Sequence, residues 1–550
     1  MKTAADLVVQ VLADAGVKYV FGISGDSVLA LIDAIGRTPG ITYMPVLHEQ
    51  VGTGMADGYT RVTGDPGVVL GHMGPGVCNL VIGLAAAYRD SSPIIALTGV
   101  REGKKIGRDA WHEIDQLGIL RPITKWGVRI TSADSATRVT RTALTLALGG
   151  RPGPVHIELP KDIARVESSV ESGSPLSFAA IREAARVGPN PALVSRALDM
   201  LLSAKRPLIL AGGGVHRSGA SAALLAFAEA VAVPVATSSS GRGAIPEDHP
   251  LCAGPVGQYG TPFGSEQLKQ ADVLLAVGCR FSDVATRDWS LVSAGAKIVH
   301  VDIDPKELGR QYEEALSMVA DAKLFFDAAL GETGKHGKTR KGSLESDPRV
   351  AELIKGREAD LKAFFDPSAN SNVPGRPQLW VKEIAAVLKR DAIVTVGAGL
   401  YARFAGRVPA FMPGSYLKSL GLGALGWAFP AALGAKLGQP SRQVVCMLGD
   451  GDFLTVIQDL LTAVREKIPV AVVVFNDNGY GSIRELQKRE FGGRVVGSDY
   501  PTPAFDELAR VMGALGLRAA RPEEAGPALG KILESGQPGV LEIPIGPQGL

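Results

Sequence analysis

Two short acidic turns in the last third of the chain contain residues that could bind a metal ion and a diphosphate. Gly449, Asp450 and Gly451 form the first turn after an apolar run, and an Asn-Asp-Asn-Gly turn that contains Asp477 follows the next apolar run. Mg²⁺ takes hard oxygen ligands, usually one or two carboxylates together with phosphate oxygens and water. Glycine lets the backbone come close to a diphosphate. Each turn alone is also a common end of a strand, so the metal-diphosphate interpretation depends on the pair.

The segments around these turns predict that the two aspartates lie side by side. Residues 444–449 and 469–475 are apolar and β-branched, as in buried strands, and residues 453–466 have the periodicity of an amphipathic helix. The two strands of such a strand–helix–strand unit are parallel, and ligands bind beyond the carboxyl ends of parallel strands. We therefore expect Asp450 and Asp477 to face one point.

A third carboxylate, Glu49, lies far upstream of these turns. It follows the predicted strand ITYMPVL and begins a glycine-rich helix. A carboxyl group beside apolar side chains can have a raised pKa, which suits it to donate and accept a proton. A glutamate at the start of a helix can instead serve only as a favourable partner of the helix dipole. Both interpretations stay open from the residues alone.

The chain as a whole divides into three α/β blocks. Short β-branched runs alternate with amphipathic stretches in each block, which predicts parallel, doubly wound sheets. We predict three such α/β domains, at residues 1–170, 190–332 and 375–550. The stretch 333–374, rich in Gly and Lys, is predicted to be a surface linker whose basic run is solvated rather than bound to nucleic acid.

The composition excludes several classes of protein. Hydrophobic residues make up 46% and charged residues 21% of the 550 residues, as in an ordinary globular α/β protein. The net charge of +2 provides no field that would attract nucleic acid or an anionic membrane. Apolar runs are far shorter than the ~20 residues of a membrane span, the start does not resemble a signal peptide, and the cysteines show no metal spacing. We expect a cytoplasmic protein that acts on a small molecule.

Longer phrases carry a resemblance to one superfamily. The Gly-Asp-Gly turn, followed about 27 residues later by the second acidic turn and preceded by Glu49, resembles the thiamine-diphosphate-dependent enzymes. The phrases HEQVGTGMADGYTRVTG, GPGVCNLVIGLAAAYRDSSPIIALTG, RPGPVHIELPKDI and GALGWAFPAALGAKLG are most similar to the large subunit of acetolactate synthase, a relative of the 2-oxo acid decarboxylases. The resemblance covers nearly the whole chain. It implies that the first domain binds the pyrimidine of the cofactor and the third domain its diphosphate.

The resemblance also implies roles for individual residues. Asp450, Asp477 and the carbonyl of Gly479 would bind Mg²⁺, Glu49 would hydrogen-bond the pyrimidine, and Leu425 would support the bent cofactor. The other residues expected to line the cofactor are Gly399, Gly423, Gly449, Gly451, Asp452, Asn476, Tyr480, Gly481 and Ile483. In this superfamily the cofactor lies between two subunits, so a homodimer or homotetramer with active sites at the subunit interface is implied.

The expected reaction is the decarboxylation of a small 2-oxo acid and the joining of the retained fragment to a second carbonyl. Ile483 stands where simple pyruvate decarboxylases look to have an acidic residue, and an alkyl group cannot donate a proton, which favours ligation. The alternative is a decarboxylase without ligation, similar to benzoylformate or pyruvate decarboxylase, or a C–C lyase for a larger substrate. A non-enzymatic relative is disfavoured because Glu49, Asp450 and Asp477 are all present.

Several positions differ from acetolactate synthase and motivate that alternative. His72, in a context that resembles benzoylformate decarboxylase, could relay protons because imidazole titrates near neutrality, although a core histidine is the other interpretation. Asp26 resembles an aspartate of pyruvate decarboxylases, although an aspartate also suits a turn. His112 replaces a glutamine of the synthases, and Leu486 replaces a tryptophan that narrows their acceptor site. Asp26, His72 and His112 therefore join Glu49 as candidate catalytic residues.

Glycine-rich phrases in the central block point to a second cofactor. GGGVHRSGA, GPVGQYGT and GCRFSD resemble the loops that cradle FAD in the synthases and in related oxidases. Glycine-rich turns between a strand and a helix are also ordinary architecture. Beside thiamine diphosphate and Mg²⁺, FAD is therefore a candidate cofactor that the sequence leaves open.

Overall fold

The computed structural model describes residues 2–170, 173–335, 344, 347–368 and 375–545. These residues form three separate six-stranded sheets, one in each third of the chain. None of the described helices combines the length and the apolarity that a membrane span requires.

The first sheet occupies the amino-terminal part of the chain. Its strands are β1 (Tyr19–Gly22), β2 (Thr42–Pro45), β3 (Gly67–Gly71), β4 (Ile94–Val100), β5 (Trp126–Arg129) and β6 (Val155–Pro160). The helices are α1 (Ala4–Ala15), α2 (Leu29–Arg37), α3 (Glu49–Thr63), α4 (Pro75–Arg89), α5 (Gln116–Leu120), α6 (Ala136–Leu148) and α7 (Phe178–Ala184). The strand order is β2-β1-β3-β4-β6-β5. Because helices cover both faces, β3, β4 and β6 are buried throughout, including the polar residues Thr98, His156 and Glu158.

The second sheet forms the central part of the chain. Its strands are β7 (Pro207–Ala211), β8 (Val235–Thr237), β9 (Cys252–Pro255), β10 (Val273–Val277), β11 (Lys297–Asp302) and β12 (Leu316–Val319). The helices are α8 (Pro191–Ser203), α9 (Gly213–Ser218), α10 (Ser221–Val231), α11 (Pro262–Gln270), α12 (Asp283–Thr286), α13 (Ala322–Lys335) and α14 (Pro348–Phe364). The strand order is β12-β11-β10-β7-β8-β9.

The third sheet contains the two acidic turns. Its strands are β13 (Ile393–Val396), β14 (Tyr416–Lys418), β15 (Val444–Gly449), β16 (Ala471–Asn476), β17 (Leu515–Arg518) and β18 (Gly539–Pro544). The helices are α15 (Pro377–Ala386), α16 (Ala402–Ala405), α17 (Ala428–Gly438), α18 (Asp450–Leu454), α19 (Leu460–Arg465), α20 (Gly481–Glu490), α21 (Phe505–Val511) and α22 (Pro522–Ser535). The strand order is β14-β13-β15-β16-β18-β17.

All pairings in the three sheets are parallel, which confirms the predicted fold class of three doubly wound α/β domains. In each sheet the chain reverses its direction of winding, so loops from several strands meet at one edge. That edge is where the polar residues of the sequence analysis are found.

One predicted helix is interrupted. The periodicity predicts a single helix over residues 453–466, but the structure has α18 and α19 separated by a 3-10 turn at Ile457–Asp459. The buried carboxylate of Asp459 accepts hydrogen bonds from Leu47 N at 2.8 Å and from Thr462 Oγ1 at 2.8 Å. The break thus lets Asp459 reach the first domain, a long-range contact that local periodicity does not contain.

The described part of the predicted linker 333–374 is in contact with the domains beside it. Arg357 of α14 donates a hydrogen bond to Cys252 O at 2.6 Å in the central domain. Asp360 of the same helix pairs with Arg407 of the third domain at 2.7 Å. Residues 336–343, 345–346 and 369–374 of this stretch lie outside the described residues. The domain limits derived from the sequence stay predictions.

Helices α3 and α17 join the first and third domains within the chain. Gly58 lies against the backbone of Ala431 and Gly434 against that of α3, so closely that a side chain at either glycine would overlap backbone atoms. Beside them, Trp427 Nε1 donates to Asp57 Oδ2 at 2.7 Å. This packing fixes the orientation of the two sheets and therefore the relative positions of their strand ends.

Candidate active site

Asp450 and Asp477 lie directly after neighbouring strands. Asp450 follows β15 and Asp477 follows β16, and the two strands are paired in register up to their ends. Both residues are buried, at 1% and 4% exposure. Asp450 Oδ1 accepts a hydrogen bond from Gly451 N at 2.8 Å, and its Oδ2 accepts one from Gly479 N at 2.9 Å. The carboxylate of Asp450 therefore ties the two acidic turns together.

Burial makes two negative charges at this point unfavourable. Loss of hydration raises the pKa of Asp477 to about 6, and the nearby Asp450 carboxylate adds to the rise. Loss of hydration also raises the pKa of Asp450, although backbone hydrogen bonds from Gly479 and Gly451 oppose the shift. Arg484 Nη2 lies 3.7 Å from Asp477 Oδ2 and relieves part of the repulsion. A divalent cation would relieve more of it, so the pair suits a cation.

The protein supplies only part of the coordination shell of such a cation. Across the part of the chain that the structure describes, no group of three or more His, Cys, Asp or Glu side chains is suited to hold a metal. Mg²⁺ needs about six oxygen ligands and commonly takes the remainder from phosphate groups and water. Two carboxylates and a neighbouring backbone carbonyl therefore fit a metal that binds together with a diphosphate.

Two tyrosines cover the first acidic turn. The rings of Tyr480 and Tyr500 meet edge to face, with centroids 5.0 Å apart, in the space that a side chain at Gly451 would need. The Tyr500 hydroxyl is buried and has no hydrogen-bond partner among the described residues. An unpartnered hydroxyl beside a metal site is a donor that a phosphate oxygen could satisfy. Sequence reasoning does not identify Tyr500, because no motif contains it.

The side chain of Asn476 forms hydrogen bonds within the protein. Its Nδ2 donates to Glu542 Oε1 at 2.9 Å, and its Oδ1 accepts from Thr502 Oγ1 at 2.9 Å and from Asn478 N at 3.2 Å. The contribution of this side chain to the site is therefore to shape the turn that carries Asp477.

Asp452 and Gln50 hold the loop of Leu425 in place. Asp452 is buried and accepts hydrogen bonds from the amides of Ala398, at 2.8 Å, and Gly426. Loss of hydration raises the pKa of this carboxyl group to about 6. From the first domain, Gln50 Nε2 donates to Leu425 O at 3.1 Å. The loop before α17 is thus fixed from both the first and the third sheet.

The remaining residues predicted to line the cofactor are more open to solvent. Gly399 and Gly423 are exposed, and a side chain at either would meet no atom within 4 Å. Gly481 begins α20, and Ile483 and Leu486 on that helix are 47% and 37% exposed. Because Ile483 and Leu486 are three residues apart, they present one apolar face.

Glu49 is the first residue of α3 and is 4% exposed. Its Oε2 accepts a hydrogen bond from Asn79 Nδ2 at 2.9 Å. Within the described ranges no other group hydrogen-bonds to this carboxylate, so Oε1 is left for a ligand. Asn79 therefore holds one oxygen of Glu49 in place. It is not among the residues predicted from the sequence, although it lies one turn after Gly76 in the same glycine-rich segment as His72.

The imidazoles of His72 and His112 are hydrogen-bonded to each other. His72 follows β3, and His112 lies in the loop after β4; His72 Nε2 and His112 Nδ1 are 3.1 Å apart. His72 Nδ1 is 2.8 Å from Ser27 Oγ. Loss of hydration lowers the pKa of His72, and the neighbouring His112 lowers it further. The structure thus brings these two candidates together as a pair in which His72 favours the neutral form.

Asp26, the other candidate in this region, is paired with a lysine. Lys161 Nζ lies 2.6 Å from Asp26 Oδ1 and 2.7 Å from Oδ2. The hydrogen bond from Lys161 lowers the pKa of Asp26, whose side chain is 55% exposed. Asp26 is therefore held as a carboxylate, which makes it a poor proton donor at neutral pH.

Comparison with known families supports both parts of the candidate site, the acidic turns of the third domain and Glu49 of the first domain. The family models described as the N-terminal TPP binding domain, the central domain and the C-terminal TPP binding domain of thiamine pyrophosphate enzymes match residues 2–119, 194–329 and 397–543. This chain belongs to the thiamine pyrophosphate enzyme family. Asp450 and Asp477 fall within the C-terminal match, and Glu49 falls within the N-terminal match.

Sequence similarity to known relatives covers nearly the whole length of this thiamine pyrophosphate enzyme. The chain is 37% identical to the probable acetolactate synthase large subunit of Methanocaldococcus jannaschii and 35% identical to that of Methanococcus aeolicus, in each case over 99% of this chain and 92% of the relative. It is 34% identical to the acetolactate synthase isozyme 3 large subunit of Escherichia coli, over 97% of this chain and 92% of the relative.

This thiamine pyrophosphate enzyme also has a cavity of about 490 Å³. It lies where the central domain meets the first and third domains. Glycine-rich turns after β7 and β10 line it, together with Arg217 and Arg280. The Arg217 side chain donates to the carbonyls of Asp90 at 2.9 Å and Ser91 at 3.0 Å. Burial lowers the pKa of Arg217 to about 10 and also lowers the pKa of Arg280. The cavity thus combines partly buried positive charge with close access to the backbone.

Proposed function

We propose that this thiamine pyrophosphate enzyme, with Mg²⁺, decarboxylates a small 2-oxo acid and joins the retained fragment to a second carbonyl compound. One observation carries the proposal: a pair of buried carboxylates, Asp450 and Asp477, at the ends of neighbouring strands. Such a pair is unfavourable without a cation, and the incomplete set of protein ligands calls for a diphosphate beside it.

Asp450, Asp477 and the carbonyl of Gly479 would hold the metal in this proposal. The backbone at Gly451 and the Tyr500 hydroxyl lie beside them and would face the diphosphate. Occupation of the site would remove the repulsion between the two carboxylates and would satisfy the buried hydroxyl. The residues present therefore fit the cofactor that the family name implies.

Glu49 would be the proton-handling group at the other end of the cofactor. Bound thiamine diphosphate supplies an electron sink for the carbanion that decarboxylation leaves. Glu49 is buried and immobilised through Oε2 by Asn79, so that Oε1 keeps a fixed position for a hydrogen bond to a ring nitrogen. A substitution that removes the carboxylate would remove this function without disturbing the helix that begins there.

The carboligating reaction is supported by Ile483, whose side chain on α20 is 47% exposed. This alkyl side chain cannot donate a proton, so the retained fragment would not be protonated by it before a second carbonyl arrives. The test is incubation of the pure enzyme with pyruvate, Mg²⁺ and thiamine diphosphate. Formation of acetolactate, detected as acetoin after acid treatment, is expected, whereas acetaldehyde alone would contradict ligation.

A second candidate function, decarboxylation without ligation, is favoured by the His72–His112 pair. The two hydrogen-bonded imidazoles near Glu49 could donate the proton that the retained fragment needs. The same incubation separates the two functions when it is repeated with His112→Asn. If the histidines protonate the fragment, the variant should shift the products from aldehyde towards ligated product.

We also infer that the cavity of the central domain takes FAD. Arg217 and Arg280 are partly buried and form no ion pair within the described residues, which suits a diphosphate, and the glycine-rich turns allow the backbone to approach it. Flavin absorbance of the pure protein, and release of FAD on denaturation, would support the inference. A colourless protein that takes up no added FAD would contradict it.

Finally, we propose that two or four copies of the chain assemble. Leu47 and Leu461 are 45% and 44% exposed, and Asp459, two residues before Leu461, accepts a hydrogen bond from the amide of Leu47. Exposed apolar side chains on two segments that a hydrogen bond joins, one of them two residues before Glu49, suit a subunit contact at the active site. Light scattering in solution should give the mass of two or four chains, and the mass of one chain would contradict the proposal.

A further inference from the structure

The hydrogen-bond chain around His72 determines which of its ring nitrogens carries the proton. Ser27, in the loop after β1, approaches Nδ1 from two directions: its Oγ lies 2.8 Å away and its backbone N–H lies 3.4 Å away. A backbone N–H can only donate. His72 Nδ1 must therefore present a lone pair, and the proton of the neutral ring must be on Nε2.

The donor role of the Ser27 hydroxyl is determined in the same way. The amide of Met73 donates to Ser27 Oγ at 3.1 Å, so the hydroxyl already acts as an acceptor on that side. Its own hydrogen is then directed to His72 Nδ1, the acceptor 2.8 Å away. Ser27 thus makes two donations to one nitrogen of His72.

The direction of the chain continues into the second imidazole. His72 Nε2 carries a hydrogen and lies 3.1 Å from His112 Nδ1, which must accept it. The proton of a neutral His112 is then on Nε2, the nitrogen that does not face His72. Every bond from Ser27 to His112 runs one way.

We propose that Ser27 is a positioning residue that holds His72 in the tautomer protonated at Nε2, so that His112 offers an N–H, and not a lone pair, at the outer end of the pair.

Close packing fixes Ser27 and His72 for this role. Gly25 lies so near the His72 ring that a side chain there would overlap it, and Gly99 on β4 comes equally close to the Ser27 side chain. Ser27 itself is 4% exposed. This packing and the burial of Ser27 keep the Ser27 donors beside His72 Nδ1, so the fold favours one tautomer of the half-buried imidazole.

The charged groups around the pair do not reverse this direction. Asp26 and Glu49 favour a protonated His72, whereas Arg101 and His112 disfavour it. The carboxylate of Asp26 is already bound by Lys161, which weakens its effect on the imidazole. A second proton on His72 would have to enter at Nδ1 and would displace both donors from Ser27.

The direct test is the ¹⁵N spectrum of the holoenzyme labelled at histidine. The chain has eight histidines, and the signals of the pair can be assigned from His72→Asn and His112→Asn. Long-range ¹H–¹⁵N correlations distinguish the protonated from the unprotonated ring nitrogen. At neutral pH we expect both residues neutral with the proton on Nε2. His72 protonated at Nδ1, or charged, would overturn the proposal.

Variants of Ser27 test the cause of the tautomer. Ser27→Ala removes the hydroxyl donor and leaves only the backbone N–H, 3.4 Å away, so the hydrogen bond at His72 Nδ1 should weaken, the Nδ1 signal should shift, and the titration of His72 should move to higher pH. Ser27→Thr keeps a hydroxyl and should restore the wild-type spectrum. Ser24→Ala, an exposed serine in the same loop, is the matched control and should change nothing. An unchanged His72 spectrum in Ser27→Ala would overturn the role of Ser27.

The kinetic readout rests on the proposed function. With pyruvate, Ser27→Ala should lower kcat roughly 10-fold, below the 10²–10⁴-fold contribution of a complete acid or base, with KM nearly unchanged. A fall in kcat that Ser27→Thr does not rescue would indicate a structural role only and would contradict the positioning role. If the enzyme turns over no 2-oxo acid at all, the proposed function fails, but the spectra still decide the tautomer. If Ser27→Ala does not fold, the wild-type spectrum alone decides it.

Discussion

The two parts of the candidate site differ in the interactions that position their residues. In the third domain, Asp450 and Asp477 are buried like charges that follow neighbouring strands of one strand–helix–strand unit. In the first domain, Ser27, His72 and His112 come from loops after three different strands and are held by neutral hydrogen bonds. The charged end calls for a metal, whereas the neutral end can vary in its proton chemistry. We therefore expect the third domain to determine which cofactor binds and the first domain to determine the fate of the substrate.

The largest effect should come from the carboxylate of the first domain. Glu49→Gln keeps the size of the side chain but removes the negative charge, so turnover should fall by at least about 1000-fold while the circular dichroism stays unchanged. The control is Glu523→Gln, on a side chain that is 65% exposed, and it should retain wild-type turnover. Wild-type rates in Glu49→Gln would show that the first domain takes no part in activating the cofactor.

Removal of one charge from the third domain should weaken metal binding and stabilise the empty site. Asp477→Asn deletes a proposed ligand, so calorimetry should show Mg²⁺ affinity lower by at least about 100-fold. The metal-free variant should unfold at a higher temperature than the metal-free wild type, because the repulsion with Asp450 is gone. Asp33→Asn, whose side chain is 67% exposed, should change neither quantity. Equal Mg²⁺ affinity in Asp477→Asn and the wild type would contradict the proposal that Asp477 is a metal ligand.

The residue that supports Glu49 should have a smaller effect. Asn79→Ala removes the hydrogen bond to Glu49 Oε2, so kcat should fall about 10-fold, less than for loss of the carboxylate itself. Asn79→Asp should be slower still, because a second carboxylate would repel Glu49. Steady-state kinetics with pyruvate measures both. An Asn79→Asp variant faster than Asn79→Ala would contradict the assignment of Asn79 as a neutral donor.

A buried lysine of the third domain should make a pH-dependent contribution to stability. Lys418 is buried, and loss of hydration lowers its pKa from 10.5 to about 8. A group with a depressed folded pKa contributes stability that is present above the unfolded pKa and is lost as pH falls through the folded pKa. The free energy of unfolding should therefore fall by on the order of 3 kcal/mol between pH 10.5 and pH 8.

Lys418→Met should lack that slope, because it has no proton to gain. Urea denaturation of both proteins at several pH values between 7.5 and 10.5 measures the difference. Parallel curves for the wild type and Lys418→Met would mean that the lysine is hydrated in solution.

The sequence predicts the third-domain end of the site well because the information is local. Asp450 and Asp477 are separated by one strand–helix–strand unit, and apolar runs locate both strand ends. The fold class follows in the same way from the alternation of runs and amphipathic stretches. Even here the break at Asp459 is not predicted, because its cause is a hydrogen bond to Leu47 in another domain.

The first-domain end could be predicted only residue by residue. His72 and His112 are candidates from resemblance, but their contact with each other and with Ser27 depends on the strand order β2-β1-β3-β4-β6-β5, which places the ends of β1, β3 and β4 side by side. The pairing of Asp26 with Lys161, which follows β6, has the same origin. Local periodicity contains no information on strand order, so these contacts appear only in three dimensions.

The most direct test of the central claim is calorimetric titration of thiamine diphosphate into metal-free protein, with and without Mg²⁺. We expect saturable binding of one thiamine diphosphate per chain that requires Mg²⁺ and is lost in the double variant Asp450→Asn, Asp477→Asn. Binding of the same strength without Mg²⁺ or in that variant, or no binding at all by the wild type, would contradict it.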